Sequence, residues 1–224
     1  MKQEALEDAP KFKFWKKQLE INGLTIHKIS DHFIRRRHNG EVLFALLTVD
    51  ADTPEGDKIP PVCFLKGHAA SVLVCLIDDE TGEKFVVLVR QRRISDGSQT
   101  YEHPAGMVDV DDDPTDTAAR EVGEEIGLSI APDELTKLNP RLWFPSTGTS
   151  DEAMHYYFVE KTMPRAEIMR FHLQKMDSDS ELERITSVIA TLPEAHKLVN
   201  NVNGLLIHFL YLQKTGDYET MKLL

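Results

Sequence analysis

The spacing of apolar and polar residues changes character at Pro60-Pro61. Ahead of it, residues 24–29, 33–37 and 41–49 read as short strands separated by turn residues. Asn39-Gly40 between the second and third is a strong hairpin signal. Residues 11–19, with Phe12, Phe14 and Trp15 among lysines, predict a short basic helix, for which packing on the neighbouring domain is favoured over a role at a membrane surface. Residues 50–58 read as an exposed loop. Behind Pro61, strands are predicted at 71–77, 85–89, 138–144, 154–159 and 185–192. Helices are predicted from Asp113-Pro114, over 164–176, from Pro193 to Lys197, and over 203–214. The order predicts an α/β fold, a mixed sheet between helices, with a β-rich extension at 1–60 and the larger domain at 61–224.

Composition narrows the function. A chain of 224 residues can bury a sizeable core. Its net charge of −11, from 37 acids against 26 bases, argues against an extended nucleic-acid surface, although a small anionic ligand can still be held by metal ions and a few arginines. Cys63 and Cys75 sit in or beside apolar stretches and read as buried free thiols of a reducing compartment. No C-x-x-C suggests a zinc site, and no apolar run approaches the roughly 20 residues of a membrane span. The opening MKQEALEDAPK lacks the apolar core of a signal peptide, so the expected location is cytoplasmic, with no membrane partner.

The segment with chemistry in it is GMVDVDDDPTDTAAREVGEEIGL, Gly106 to Leu128. Asp113 suits the N-cap and Pro114 the first position of a helix, and Gly127 suits its C-terminal cap. Ala118, Ala119, Val122 and Ile126 supply an apolar face. Glu121, Glu124 and Glu125 then lie three and four apart, where like charges repel by roughly 0.2–0.5 kcal/mol per pair. Such a group is favourable only around a cation, and hard carboxylate oxygens select magnesium or manganese. Arg120, four before Glu124, can hold that carboxylate in place.

This segment resembles the Nudix box, G-x5-E-x7-R-E-U-x-E-E-x-G-U with U a bulky apolar residue, and departs from it once, at Asp112 in place of glutamate. The flanks resemble the ADP-ribose and ADP-sugar pyrophosphatase branch of that superfamily. The apolar run 85–89 ends in Arg90-Gln91-Arg92-Arg93, matching V-x-Q-x-R, and Glu102-His103-Pro104-Ala105-Gly106 matches E-x-P-A-G. His103 stands where that branch has an apolar residue, and it reads as a surface or partly packed histidine without a chemical role. Pro145 to Glu152 resembles the branch's S-P-G-x-S-x-E loop, with Thr147 replacing proline. Ser178-Asp179-Ser180-Glu181-Leu182-Glu183-Arg184 resembles its E-x-E-x-I element.

The resemblance implies a Nudix α/β/α sandwich with a small N-terminal antiparallel β extension that supports a homodimer. It also implies residue roles. The Ala105 carbonyl, Glu121, Glu125 and Glu183 would hold two or more Mg2+ or Mn2+ ions, and Arg120 and Glu124 would complete the catalytic helix. Arg93 would hold a diphosphate; Glu102, Gly148 and Glu152 would line the substrate site; Glu181 would be the general base. The implied reaction is hydrolysis of a nucleoside diphosphate sugar of ADP-ribose or ADP-glucose type to AMP and a sugar phosphate. Two alternatives stand beside it: a non-catalytic Nudix-fold nucleotide-binding module, and a Nudix hydrolase of another nucleoside diphosphate derivative.

Overall fold

The computed structural model describes residues 3–177 and 184–224, which form two compact units. The first comprises Met1–His68, Val108–Asp112 and Phe144–Ala153. Its helix α1, Pro10–Ile21, starts on a proline at its first turn, where the missing N–H carries no penalty. Phe12 and Trp15 of α1 are buried in one cluster with Ala45, Leu47, Val49 and Leu65. Strands β1 (Thr25–Arg36), β2 (Val42–Asp52) and β3 (Val62–Leu65) form an antiparallel sheet in that order. The β1–β2 hairpin turns at Asn39-Gly40 as expected, with Gly40 at φ 94°.

Two expectations for this unit are corrected, and one strand is added to them. Segments 24–29 and 33–37 are one continuous edge strand, because register shifts at Ile26/Lys28 and Asp31/Phe33 absorb the polar stretch between them. The proposed loop at 50–58 is shorter, since β2 runs on to Asp52 and Asp52 bridges Lys58. Strand β3 was not foreseen: four residues after two prolines carry little periodic signal, yet they pair with β2 from Ala45↔Leu65 to Thr48↔Val62.

The second unit comprises Ala69–Met107, Asp113–Trp143 and Met154–Leu224. Its strands are β4 (His68–Asp78), β5 (Lys84–Arg92), β6 (Gln99–Glu102), β7 (Ala105–Val108), β8 (Thr136–Lys137), β9 (Ala153–Met163), β10 (Lys175–Asp177) and β11 (Arg184–Thr191). They make one mixed sheet, β10-β11-β5-β4-β9-β8, with β6 on β5 and β7 on β4. The apolar run in β5 is buried throughout Phe85–Val89, which matches a central strand covered on both faces. Helices α2 (Pro114–Ile126), α3 (Arg165–Ile168), α4 (Leu192–Leu198), α5 (Val202–Thr215) and α6 (Tyr218–Met221) complete the unit. Ile207, Tyr211 and Leu212 of α5 join Leu73, Cys75, Val86, Leu88 and Tyr156 of the sheet in the main core. No helix among the described residues is long and apolar enough to cross a membrane.

Two further expectations fail for local reasons. Segment 138–144 is not a strand. Pro140 has no N–H for a ladder, and the Asn139 side chain takes over part of the pairing, donating to the Met154 carbonyl and accepting from Tyr156 N–H, each at 2.8 Å. Segment 164–176 is not one helix: α3 is a single turn, a 3-10 turn follows at Met169–Phe171, and Leu173 adopts φ 61° before β10 begins. The left-handed residue breaks any continuous helix there.

Candidate active site

Helix α2 is built as its sequence requires. The Asp113 carboxylate accepts the Thr115 N–H at 2.7 Å, and that bond holds its pKa below the usual range. Gly127 closes the helix at φ 74°, its N–H donating to the Gly123 carbonyl at 3.0 Å. Ala118, Val122 and Ile126 are fully buried, which fixes the rotation of the helix about its axis. Glu121 and Glu125 therefore flank the buried face, while Glu124 points outward.

The E-x-P-A-G segment lies against this helix. Glu125 is only 9% exposed, and its carboxylate accepts the Ala105 N–H at 2.9 Å. Glu121 packs directly over Gly106, so that a Cβ on residue 106 would overlap its carboxylate. The glycine is needed there for close approach. Arg120 reaches Glu121 at 3.0 Å and both oxygens of Glu124 at 3.0 and 3.1 Å. Ala105, Arg120, Glu121, Glu124 and Glu125 are thus brought together. Among the described residues, no three His, Cys, Asp or Glu side chains close into a metal cage. Arg120 instead carries part of the neutralisation that a cation would supply. The Glu125 and Glu121 carboxylates, the backbone at the start of β7 and a glycine cradle fit a hard divalent cation.

Arg93, just past β5, makes a two-pronged contact with Glu102 of β6, Nε to Oε1 at 3.0 Å and Nη2 to Oε2 at 2.9 Å. The Thr100 hydroxyl donates to Glu102 Oε1 at 2.6 Å, which locks the acceptor side of that fork. Gly148 and Glu152 lie in the first unit. Among the described residues, no atom lies within 4 Å of where a Cβ on Gly148 would sit. Glu152 pairs with Lys66, whose own backbone N–H donates to Asp151 at 2.6 Å. Burial raises the pKa of Asp151, opposed by the N–H groups of Lys66 and Gly67 and by the charges of His68 and Lys11. Lys66 and Asp151 were not foreseen, and the one local signal was Gly67, which adopts φ 91°. Glu181 and Glu183 lie outside the described residues.

His103 is corrected: it is 2% exposed, with Nε2 at 2.9 Å from Nε2 of the fully buried His208. Burial, reinforced by His208, holds His103 well below its ordinary pKa. Burial, with His196 adding to it, lowers His208 to about 4, so both rings are neutral near pH 7. Both cysteines are free and buried, and burial first of all pushes the Cys63 thiol up to about 12 and the Cys75 thiol up to about 11. Neither is a reactive thiolate.

Fold and site together define an α/β protein whose acidic helix is clamped onto the proline-alanine-glycine segment that opens β7. The chain belongs to the Nudix family, whose NUDIX domain model matches residues 67–191. It is 39% identical over 114 residues to Nudix hydrolase 14, chloroplastic, from Arabidopsis thaliana, a match covering 47% of this chain and 36% of that relative. It is 30% identical over 134 residues to ADP-ribose pyrophosphatase from Bacillus subtilis (strain 168), covering 60% of this chain and 64% of the relative. The chain thus spans less than two thirds of the length of either relative. A solved structure described as an ADP compounds hydrolase superposes with TM-score 0.59 at 17% identity, covering 86% of this chain and 96% of that one; the likeness is one of fold.

Proposed function

We propose that this Nudix protein hydrolyses the diphosphate bond of a nucleoside diphosphate sugar of ADP-ribose or ADP-glucose type, releasing AMP and a sugar phosphate, with divalent cations as cofactor. The observation that carries this reading is the clamp of Glu125 on the Ala105 N–H and of Glu121 on Gly106. It joins the general Nudix helix to the E-x-P-A-G segment, the element that separates the ADP-sugar branch from other Nudix sequences. The name of the Bacillus relative, ADP-ribose pyrophosphatase, points the same way.

In this reading Ala105 through its carbonyl, Glu121, Glu125 and Glu183 hold two or more Mg2+ or Mn2+ ions. When bound, the ions neutralise charge on the diphosphate and make water at the reacting phosphorus more acidic. Glu181 takes the proton of the attacking water. Arg93, held flat by Glu102, supplies two parallel N–H groups to phosphate oxygens, and Arg120 keeps Glu124 and Glu121 in place. By the resemblance, Gly148 and Glu152 would serve the sugar end of the substrate. Positioning and charge neutralisation provide most of the acceleration.

Two further parts belong to the same proposal. The chain works as a homodimer through its three-stranded sheet, which presents Phe33, Leu46, Val62 and Phe64 to solvent. Its compartment is cytoplasmic and reducing, in keeping with two free cysteines, although one relative is named chloroplastic.

The test is direct. Purified protein with Mg2+ is incubated with ADP-ribose, ADP-glucose and UDP-sugars, and nucleotide and sugar phosphate are quantified by chromatography. Release of AMP and sugar phosphate in equal amounts is expected. Release at background across a broad nucleotide panel, with ligand binding retained, would establish the non-catalytic binding module instead.

A further inference from the structure

Helix α5 grips the strand that leads into Ala105 at two points. Asn201, its N-cap, donates from Nδ2 to the Tyr101 carbonyl at 3.1 Å. The same carboxamide accepts Gly204 N–H through Oδ1 at 2.8 Å, so its orientation is set by the helix. About two turns further along, on the same face, His208 meets His103 at 2.9 Å. These contacts bracket Glu102, the partner of Arg93, and stand immediately ahead of Pro104-Ala105. The Pro104 carbonyl in turn accepts Val72 N–H of β4 at 2.9 Å.

His208 is itself held. Its Nδ1 lies 3.2 Å from Nδ1 of His196 on α4, and its ring meets that of His103 edge-on, centroids 4.9 Å apart. A neutral imidazole has one N–H, so His208 donates through one nitrogen and accepts through the other. The chain His103–His208–His196 therefore runs in a single direction. An apolar residue at 103 would fill the same space without specifying orientation. A hydrogen-bonded pair buried this deeply adds direction, because any rotation that breaks it leaves polar nitrogens unsatisfied in the core.

We propose that His208, acting through His103, is a positioning residue for the cation-binding segment: it holds the Glu102–Ala105 backbone in the place where Glu125 anchors it. This rests on the reading of Ala105, Glu121 and Glu125 as cation ligands. Neither histidine touches substrate or cation in this assignment.

Full-length protein is titrated with Mn2+ in the absence of substrate, with free Mn2+ followed by electron paramagnetic resonance, and kcat is measured separately at saturating Mn2+. His208→Leu is expected to weaken Mn2+ binding by about 10-fold, the scale at which outer-shell partners act. His208→Gln, which restores a donor and an acceptor, is expected to recover most of that loss. If His208→Leu fails to fold, the double variant His103→Leu/His208→Leu, which removes both rings of the buried pair and takes a partner only from the partly exposed His196, carries the measurement, with the same loss expected. A lower melting temperature with unchanged Mn2+ affinity in the leucine variants overturns the inference and leaves the pair a core contact. No Mn2+ binding by the wild type overturns the cation reading itself, and the inference with it.

Discussion

At the scale of single residues, the site separates side chains that anchor from side chains that would react. Glu125 does both. It is buried and its carboxylate accepts the Ala105 N–H. Glu125→Gln keeps an oxygen acceptor for that N–H and nearly the same volume while removing the charge. Turnover is expected to fall on the order of 10^2–10^3-fold, with the circular dichroism spectrum and melting temperature close to wild type. Activity within a few-fold of wild type would remove Glu125 from the metal site. The histidine pair gives a second expectation, with a definite sign. His208 is held near 4 in the fold, against about 6.5 in the unfolded chain. Below about pH 6.5 the unfolded chain binds a proton that the fold refuses, so stability is full above that value and declines as pH falls toward 4, by up to about 3 kcal/mol. His103, buried beside it, contributes with the same sign, and His196 is the remaining ring that faces the pair. Urea midpoints measured from pH 7.5 to 5 should fall more steeply for the wild type than for His103→Leu/His208→Leu. Equal slopes would mean that the pair does not stay neutral in the fold. Much of this scale was legible in the sequence where partners are local: the Asp113 cap, the Gly127 stop and the Arg120–Glu124 pair follow from helical spacing. The burial of His103 was not, because its partner is 105 residues away.

At the scale of elements, legibility follows how far an element depends on its own sequence. Helix α2 carries a cap, a proline at the first turn, an apolar stripe and a terminal glycine, and each signal agrees with the others. Strands β4, β5, β9 and β11 carry long apolar runs and were found with small errors at their ends. The misses lie where tertiary contacts replace backbone regularity. Around Pro140 a side-chain amide stands in for ladder bonds. After α3, the chain is directed by contacts with β11: Leu173 N–H donates to the Ser187 carbonyl at 2.9 Å, and His172 Nδ1 accepts Ile189 N–H at 3.2 Å. Helical spacing of apolar residues over 164–176 could not reveal those partners, since they lie on a strand that follows later in the chain. Of the site itself, the residues on α2 and the two motifs flanking β6 were readable. The Lys66–Glu152 pair was not, because Lys66 belongs to no motif and meets its partner only through folding.

At the scale of the whole molecule, the three-stranded sheet carries the argument for self-association. Across its outer face the register aligns Phe33 of β1 with Leu46 of β2, and Leu46 with Phe64 of β3. The inner face is closed by α1, whereas Phe33 is 57% exposed, Val62 47%, Leu46 37% and Phe64 36%. Phe44 extends the row, its ring 5.5 Å from that of Phe64. An apolar row across all three strands, bordered by the exposed Arg35 opposite Phe44, is the composition of an interface core with a polar rim rather than of scattered exposed residues. A two-fold pairing of such faces is self-complementary, because each copy offers the same stripe. Sedimentation equilibrium at micromolar concentration should therefore give twice the 25.5 kDa of the chain. Phe33→Glu would place a charge at the most exposed position of the row, and a loss of 2 kcal/mol or more raises the dissociation constant by about 30-fold or more. Because Phe33 faces solvent on an edge strand, the variant should keep its fold, and the monomer should appear without a change in circular dichroism. A wild type that sediments as a monomer, or a Phe33→Glu variant that dimerises as tightly as the wild type, would assign that face to something other than a second copy of the chain.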